Sequence, residues 1–376
     1  MSIKKIVWVF GTVIAITAVA VWFLFNTKKS EINDFTQKNE EIEIILEENK
    51  DFVEEKRNFS EVKNLADFEK TEFIPTLEHK ISKEKNSVYC VTLLYAWEEI
   101  RKKINKPLII SPNYDDLVLL NNSKSFINVL KSSEYSTSVT INGDLITAKA
   151  EFNKSLPFET KLNSYDNRLT FKGENVLSFG VMGVSSYNYS NSDYEKLKVV
   201  RIAYYKNDSN FIVKLLPKDK KHEIILFKTD KIFNSMAEMN DEILKLSEIG
   251  KKEIKNENLQ WKYYIEEYDE LVIPKINFNI ETNYATLEGK EFETKKQPYR
   301  IETAYQRTAF MLDENGAEIE SEVKYVLLCA EEEEVEKPKP KKMFFDKDFL
   351  ILLKRTDAKT PYFGLWVTNT ELMIKK

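Results

Sequence analysis

Ala304–Leu312 reads AYQRTAFML, a strand-like run that leads directly into Asp313-Glu314-Asn315-Gly316-Ala317-Glu318. A long charged segment ending in KPKPKK (337–342) follows. Behind it come Asp346-Lys347-Asp348-Phe349-Leu350-Ile351-Leu352 and then Phe363-Gly364. From residue 317 the chain alternates. Ala317, Ile319, Ser321, Val323 and Tyr325 fall on one side, and Glu318, Glu320, Glu322 and Lys324 on the other. Period two is the signature of a half-buried strand, so this segment is expected to lie partly in a sheet.

Upstream, β signals dominate. Ser138–Ile141, Leu145–Phe152, Arg168–Phe171, Val176–Val184, Val199–Tyr205, Phe211–Leu216 and Glu223–Phe227 are short runs of β-branched and aromatic residues. Asn142-Gly143, Lys172-Gly173 and Asn207-Asp208 separate them as turns. Tyr89–Ile104 and Ser235–Ile249 carry apolar faces at helical spacing, and Asp115–Leu120 and Ser125–Lys131 are short helix or strand pieces. The pattern predicts an α+β architecture: helices with several mainly antiparallel β-sheets.

The C-terminal third resembles that of a serpin: a sheet strand, a hinge of Glu-x-Gly-x-Glu type at Glu314, Gly316 and Glu318, an exposed loop, then two closing strands. The middle of the chain agrees. Ala148–Phe158 (AKAEFNKSLPF) with Leu169-Thr170-Phe171 is similar to the serpin strand and turn that lead to Pro-Phe, with Leu156 where the family keeps a tryptophan. Lys198–Lys218 resembles a family hairpin ending in Leu-Pro, and Leu271–Phe278 (LVIPKINF) the family's Leu-Pro-Lys-Phe strand. The matches run in order over residues 148–364. Asn86–Val91 only echoes the family's shutter segment, Asp348 replaces the proline expected before Phe349, and too few residues precede Ala148 for the usual N-terminal helices.

What the resemblance implies is mechanical. In an inhibitory serpin a protease cleaves the loop, and the freed hinge enters the sheet as a new central strand, driven by stored strain. The hinge residues implied here are Glu314, Gly316, Ala317, Glu318, Ile319 and Ser321, with Lys275 as the ionic partner of Glu314. The bond attacked would lie around Cys329, Ala330 and Glu331. The alanine run that favours fast insertion is absent, so insertion is expected to be slow. With the alternating segment already partly seated, the stress is expected to be largely spent. Chain length favours partial seating: thirteen residues from 316 to 328 would descend about 43 Å at ~3.3 Å each, and the fourteen that follow barely return. The expected role is therefore a non-inhibitory binding or structural one, with serpin-type inhibition through loop 317–342 as the alternative.

Ile6–Phe25 (IVWVFGTVIAITAVAVWFLF) is twenty uncharged residues, about 30 Å as a helix, the thickness of a bilayer core. No small-x-small site follows, so the run is read as an uncleaved, single-pass signal anchor with the bulk extracytoplasmic. Ser30–Lys70 holds thirteen Asp/Glu against six Lys/Arg and is read as a stalk. The expected organisation is a tail (1–5), an anchor (6–25), an acidic helical stalk (26–75) and a serpin-like domain (76–376). Net charge of −5 argues against nucleic acid. Cys90 and Cys329 permit one disulfide at most, and His79 and His222 are read as surface residues. No spacing suggests a metal, cofactor or enzyme. The partners expected are a membrane and a protein or protease.

Overall fold

The computed structural model describes residues 59–143, 145–151, 154–183, 190–317 and 339–376. Among these, three sheets and four α-helices form one folded unit from Phe59 to Lys376. The helices are α1 (Thr92–Ile104), α2 (Asp115–Asn122), α3 (Asn191–Lys198) and α4 (Met236–Glu253).

The seven-stranded sheet follows from the most apolar runs. Its order is β10 (Val200–Asn207), β11 (Asn210–Leu215), β12 (His222–Lys228), β19 (Phe349–Arg355), β20 (Phe363–Val367), β3 (Asn86–Cys90) and β2 (Thr71–Ile74). Every residue of β12 and β19 is buried, which is why these strands read as continuous rather than alternating apolar runs. A four-stranded sheet joins β8 (Asn163–Phe171), β9 (Glu174–Met182), β13 (Glu270–Pro274) and β18 (Lys342–Phe344). The nine-stranded sheet holds β1 (Lys63–Asn64), β4 (Ile109–Ile110), β5 (Ser136–Asn142), β6 (Leu145–Glu151), β7 (Leu156–Pro157), β14 (Ile276–Asn283), β15 (Glu291–Glu293), β16 (Pro298–Asp313) and β17 (Gly316–Ala317). The α+β reading holds. Most pairings are antiparallel, but β1–β14, β2–β3, β13–β18 and β6–β16 are parallel.

Three local expectations are corrected. The helix read from Tyr89 begins only at Thr92, because Asn86–Cys90 is a strand paired with β2 and β20. A short continuous apolar run cannot be told from a buried helix by its period. Ser125–Lys131 forms turns. The helical stalk does not extend to residue 75, since Ser60 accepts a hydrogen bond from Asn279 at 2.9 Å and Lys63–Asn64 and Thr71–Ile74 are strands. Ile74-Pro75 ends a strand, and the folded unit starts at residue 59 rather than 76. The anchor and residues 26–58 lie outside the described residues. No helix among those described is long and apolar enough to cross a membrane.

Candidate functional site: the hinge at the open end of the central sheet

β16 is the spine of the nine-stranded sheet. It is sixteen residues long and alternates buried and exposed, from Tyr299 and Ile301 through Ala304, Gln306, Thr308 and Phe310 to Leu312. One edge pairs with β14 along its upper part. The other meets β6 directly, in parallel, from Arg300↔Leu145 to Gln306↔Ala150. Beyond Gln306 β6 no longer pairs with β16. β17 sits there between β16 and β7, with Leu312↔Ala317 and Asp313↔Gly316 on one side and Gly316↔Pro157 and Ala317↔Leu156 on the other. The hinge enters the sheet at its mouth.

The local sequence dictates that turn. Asp313 Oδ1 accepts the Asn315 amide at 2.8 Å, an Asx arrangement that reverses the chain. Phe158 and Leu162 donate their amides to the carbonyls of Asn315 and Glu314, both at 2.8 Å. Gly316 has φ +132°, and a Cβ there would stand 2.4 Å from the Leu156 carbonyl oxygen and 2.7 Å from Pro157 Cα. Both the backbone angle and the close approach demand glycine. Ala317 is fully buried, so the small inward residue matches its slot.

Glu314 and Lys275 meet as the resemblance implies. Lys275 Nζ lies 2.6 Å from Glu314 Oε2, with the two side chains 13% and 10% exposed. The lysine also donates to Ser164 Oγ at 2.8 Å. Lys161 adds a weaker contact at 3.6 Å from Oε1. Burial alone would raise the Glu314 carboxyl, but Lys275, a backbone hydrogen bond and Lys161 together hold it below its ordinary value. Its stabilising contribution is thus complete above the usual carboxylate range and lost as pH falls through the lowered value. Lys275→Ala is expected to cost on the order of 1–3 kcal/mol, since it leaves a buried carboxylate without its main cation. A double-mutant cycle with Glu314→Ala whose coupling is zero would remove the pair.

The remaining site residues divide. Glu318, Ile319, Ser321, Cys329, Ala330 and Glu331 lie outside the described residues. Between Arg300 and Gln306 β6 occupies the edge of β16 that a fully inserted hinge would need.

Two clusters escaped the sequence reading. Lys341, which looked like part of a solvated KPKPKK run, is 1% exposed, with its Nζ 2.7 Å from Asp269 Oδ2 and 2.7 Å from the Trp261 carbonyl. His222 is not a surface residue: its side chain is fully buried, among Lys154, Glu134, Asp219 and Tyr362. A charge run and a lone histidine carry no signal of burial. His79 is half-buried, with Nδ1 3.0 Å from Asp116. Asn86, in the shutter echo, is buried in β3 and ties it to the chain after β20, accepting the Thr368 amide at 2.9 Å and donating to Asn369 Oδ1 at 2.8 Å. No group of metal-ligating side chains is present among the described residues.

No family model and no curated protein matches the sequence. Solved structures do. Serpin48, a highly specific serpin of the insect Tenebrio molitor, is 13% identical, with 69% of this chain and 66% of that one covered at TM-score 0.30. Tengpin, a thermophilic serpin in its native state, is 13% identical, covering 60% and 55% at 0.30. Thyroxine-binding globulin in complex with thyroxine is 12% identical, covering 73% and 66% at 0.31. The chain thus spans no more than about two thirds of these structures' own lengths.

Proposed function

We propose that this is a serpin-like binding protein that presents loop 317–342 to a protein partner, and that cutting this loop releases insertion too slowly to trap a protease. The observation that carries the reading is the state of the central sheet: Gly316 and Ala317 are seated, while β6 and β16 are zipped together just below. In the register set by Leu312↔Ala317, Ile319 would come to lie opposite Phe310, Ser321 opposite Thr308 and Val323 opposite Gln306. These inward positions are uncharged, and the glutamates would point outward. Insertion is therefore favourable once the loop is free. It is also hindered, because the β-branched Ile319 must pass first and, from Val323 on, each residue must part an existing β6–β16 pair.

A protease panel tests this. We expect cleavage between Cys329 and Lys342 without an SDS-stable covalent complex, whereas such a complex at near-stoichiometric yield would establish the inhibitor reading instead. Ile6–Phe25 further supports single-pass anchorage with the bulk of the chain extracytoplasmic. Full-length protein should then stay with membranes through carbonate washing, and a mature N-terminus near residue 27 would overturn the anchor. Nothing in this reading requires an enzyme or a cofactor.

A further inference from the structure

The most unusual chemistry outside the hinge surrounds His222, the first residue of β12. Its Nε2 lies 2.8 Å from Lys154 Nζ, 3.4 Å from Glu134 Oε1 and 3.6 Å from Asp219 Oδ2. Its Nδ1 lies 3.1 Å from the Tyr362 hydroxyl. An ammonium has only donors, so at 2.8 Å Nε2 must be the acceptor, and the ring is neutral with its proton on Nδ1. Lys154 also pairs with Glu134, whose Oε2 is 3.3 Å from Arg355, and Arg355 is forked onto Asp357. These are the charged groups facing the ring from β12's own turn, from β19 and the turn after it, from the segment after Lys131 and from the approach to β7.

Lys154 is placed to matter. Two residues on, Leu156 and Pro157 form β7, the wall against which Gly316 and Ala317 are seated. The same short strand is tied on its other side to the His222 turn, where Lys218 donates to the Pro157 carbonyl at 2.9 Å and Phe158 bridges Pro217. Gly316 fits β7 with no room for one carbon, so a small shift of β7 is felt by the hinge.

We propose that His222, Lys154 and Glu134 form a proton-operated latch on the hinge slot: when the histidine takes up a proton, Lys154 is expelled, and β7 releases Gly316–Ala317. The atoms allow two discrete arrangements. In the neutral one Lys154 bridges Nε2 and Glu134. In the protonated one Nε2–H donates to Glu134, which is already 3.4 Å away, and the ammonium loses Nε2 as an acceptor and faces a second cation in its place. Burial first, then Lys154 and Arg355, push the His222 ring down to about 4, although Asp219 and Glu134 oppose them. The neutral state is therefore the resting one, and the latch answers to acid. Because the folded value is depressed, the arrangement is fully stable above the ordinary imidazole range and weakens as pH falls toward 4.

The proposal rests on reading residues 314–317 as a hinge, and its test is independent of any protease. Hydrogen exchange in the peptide 155–163 reports the Phe158 and Leu162 amides, which bind the Asn315 and Glu314 carbonyls. After correction for intrinsic rates, protection of this peptide in the full-length chain should fall about tenfold or more between roughly pH 7.5 and pH 4, while α4 stays protected. In His222→Gln, whose amide oxygen can accept from Lys154 without titrating, the response should vanish. Lys154→Met should abolish it too, with the histidine intact, and serves if the first variant does not fold. A pH-insensitive wild type, an unchanged response in either variant, or parallel loss of protection in α4 would overturn the latch. The separate failure of loop cutting to stabilise the protein would count against the functional reading and leave this result standing.

Discussion

Cutting the loop once between Cys329 and Lys342 should raise the thermal midpoint by about 10 °C or more, over hours rather than seconds. The uncut protein holds β6 and β16 in direct parallel contact from Arg300 to Gln306, with a two-residue strand above. Freed at one end, the segment after Ala317 can replace that parallel contact with two antiparallel ladders. It can also bury Ile319, Val323 and Tyr325 against the inward row of β16, where Phe310 and Leu312 are already buried. A net gain of about 7 kcal/mol would move the midpoint by roughly 10 °C in a folded unit of this size. The delay is as diagnostic as the rise. Replacing Ile319, Glu320 and Glu322 with alanine should shorten it while leaving the final midpoint high. If the cut protein melts where the intact one does, the closed sheet stores nothing that the loop can use.

The parts of this architecture that could be read from sequence are those in which burial leaves a periodic trace. The upper half of β16 was legible as the strand-like run Ala304–Leu312, and the structure extends it back to Pro298. The pairing of Glu314 with Lys275 came only through the serpin resemblance of LVIPKINF, not from any local pattern. Elsewhere the trace was ambiguous or absent. SVYCV carries no period, and only pairing with β2 and β20 makes it a strand. Ser60, Lys63 and Asn64 look like acidic, polar stalk sequence, yet they lie along β14, Lys63 and Asn64 by strand pairing and Ser60 by its backbone groups on the Asn277 and Asn279 side chains. β7 is two residues long, too short for any pattern, though it forms half of the hinge slot. Buried charge is the least legible of all. Lys341 and His222 are held by partners 72 and about 70 residues away, so no local window could have separated them from their solvated neighbours.

Asp269→Asn should be the most damaging single change among the described charges, lowering stability by about 3–5 kcal/mol. Its carboxylate holds four things at once: Lys341 Nζ at 2.7 Å, the Lys341 amide at 2.6 Å, the Glu266 amide at 2.8 Å and, through these, the start of β18 beside β13. Lys341 is enclosed as well as paired, with its ammonium 5.4 Å from the Trp261 ring centre, 6.0 Å from that of Tyr205 and hydrogen-bonded to the Trp261 carbonyl. The asparagine would keep the shape but leave an ammonium that is 1% exposed with no opposing charge. The rings and one carbonyl cannot replace that charge, because a cation–π contact is worth only about 1–2 kcal/mol even when desolvated. The midpoint should therefore fall by about 5–7 °C, and adding Lys341→Met should recover part of the loss by removing the stranded cation. Lys339→Met, exposed two residues earlier, should change stability by less than about 0.5 kcal/mol. This anchor also fixes where the loop ends. Hydrogen exchange in Lys342–Phe344 should rise in Asp269→Asn before exchange in β12 and β19 does. If stability in the single variant is unchanged, the buried pair contributes nothing, and β18 is held by its ladder alone.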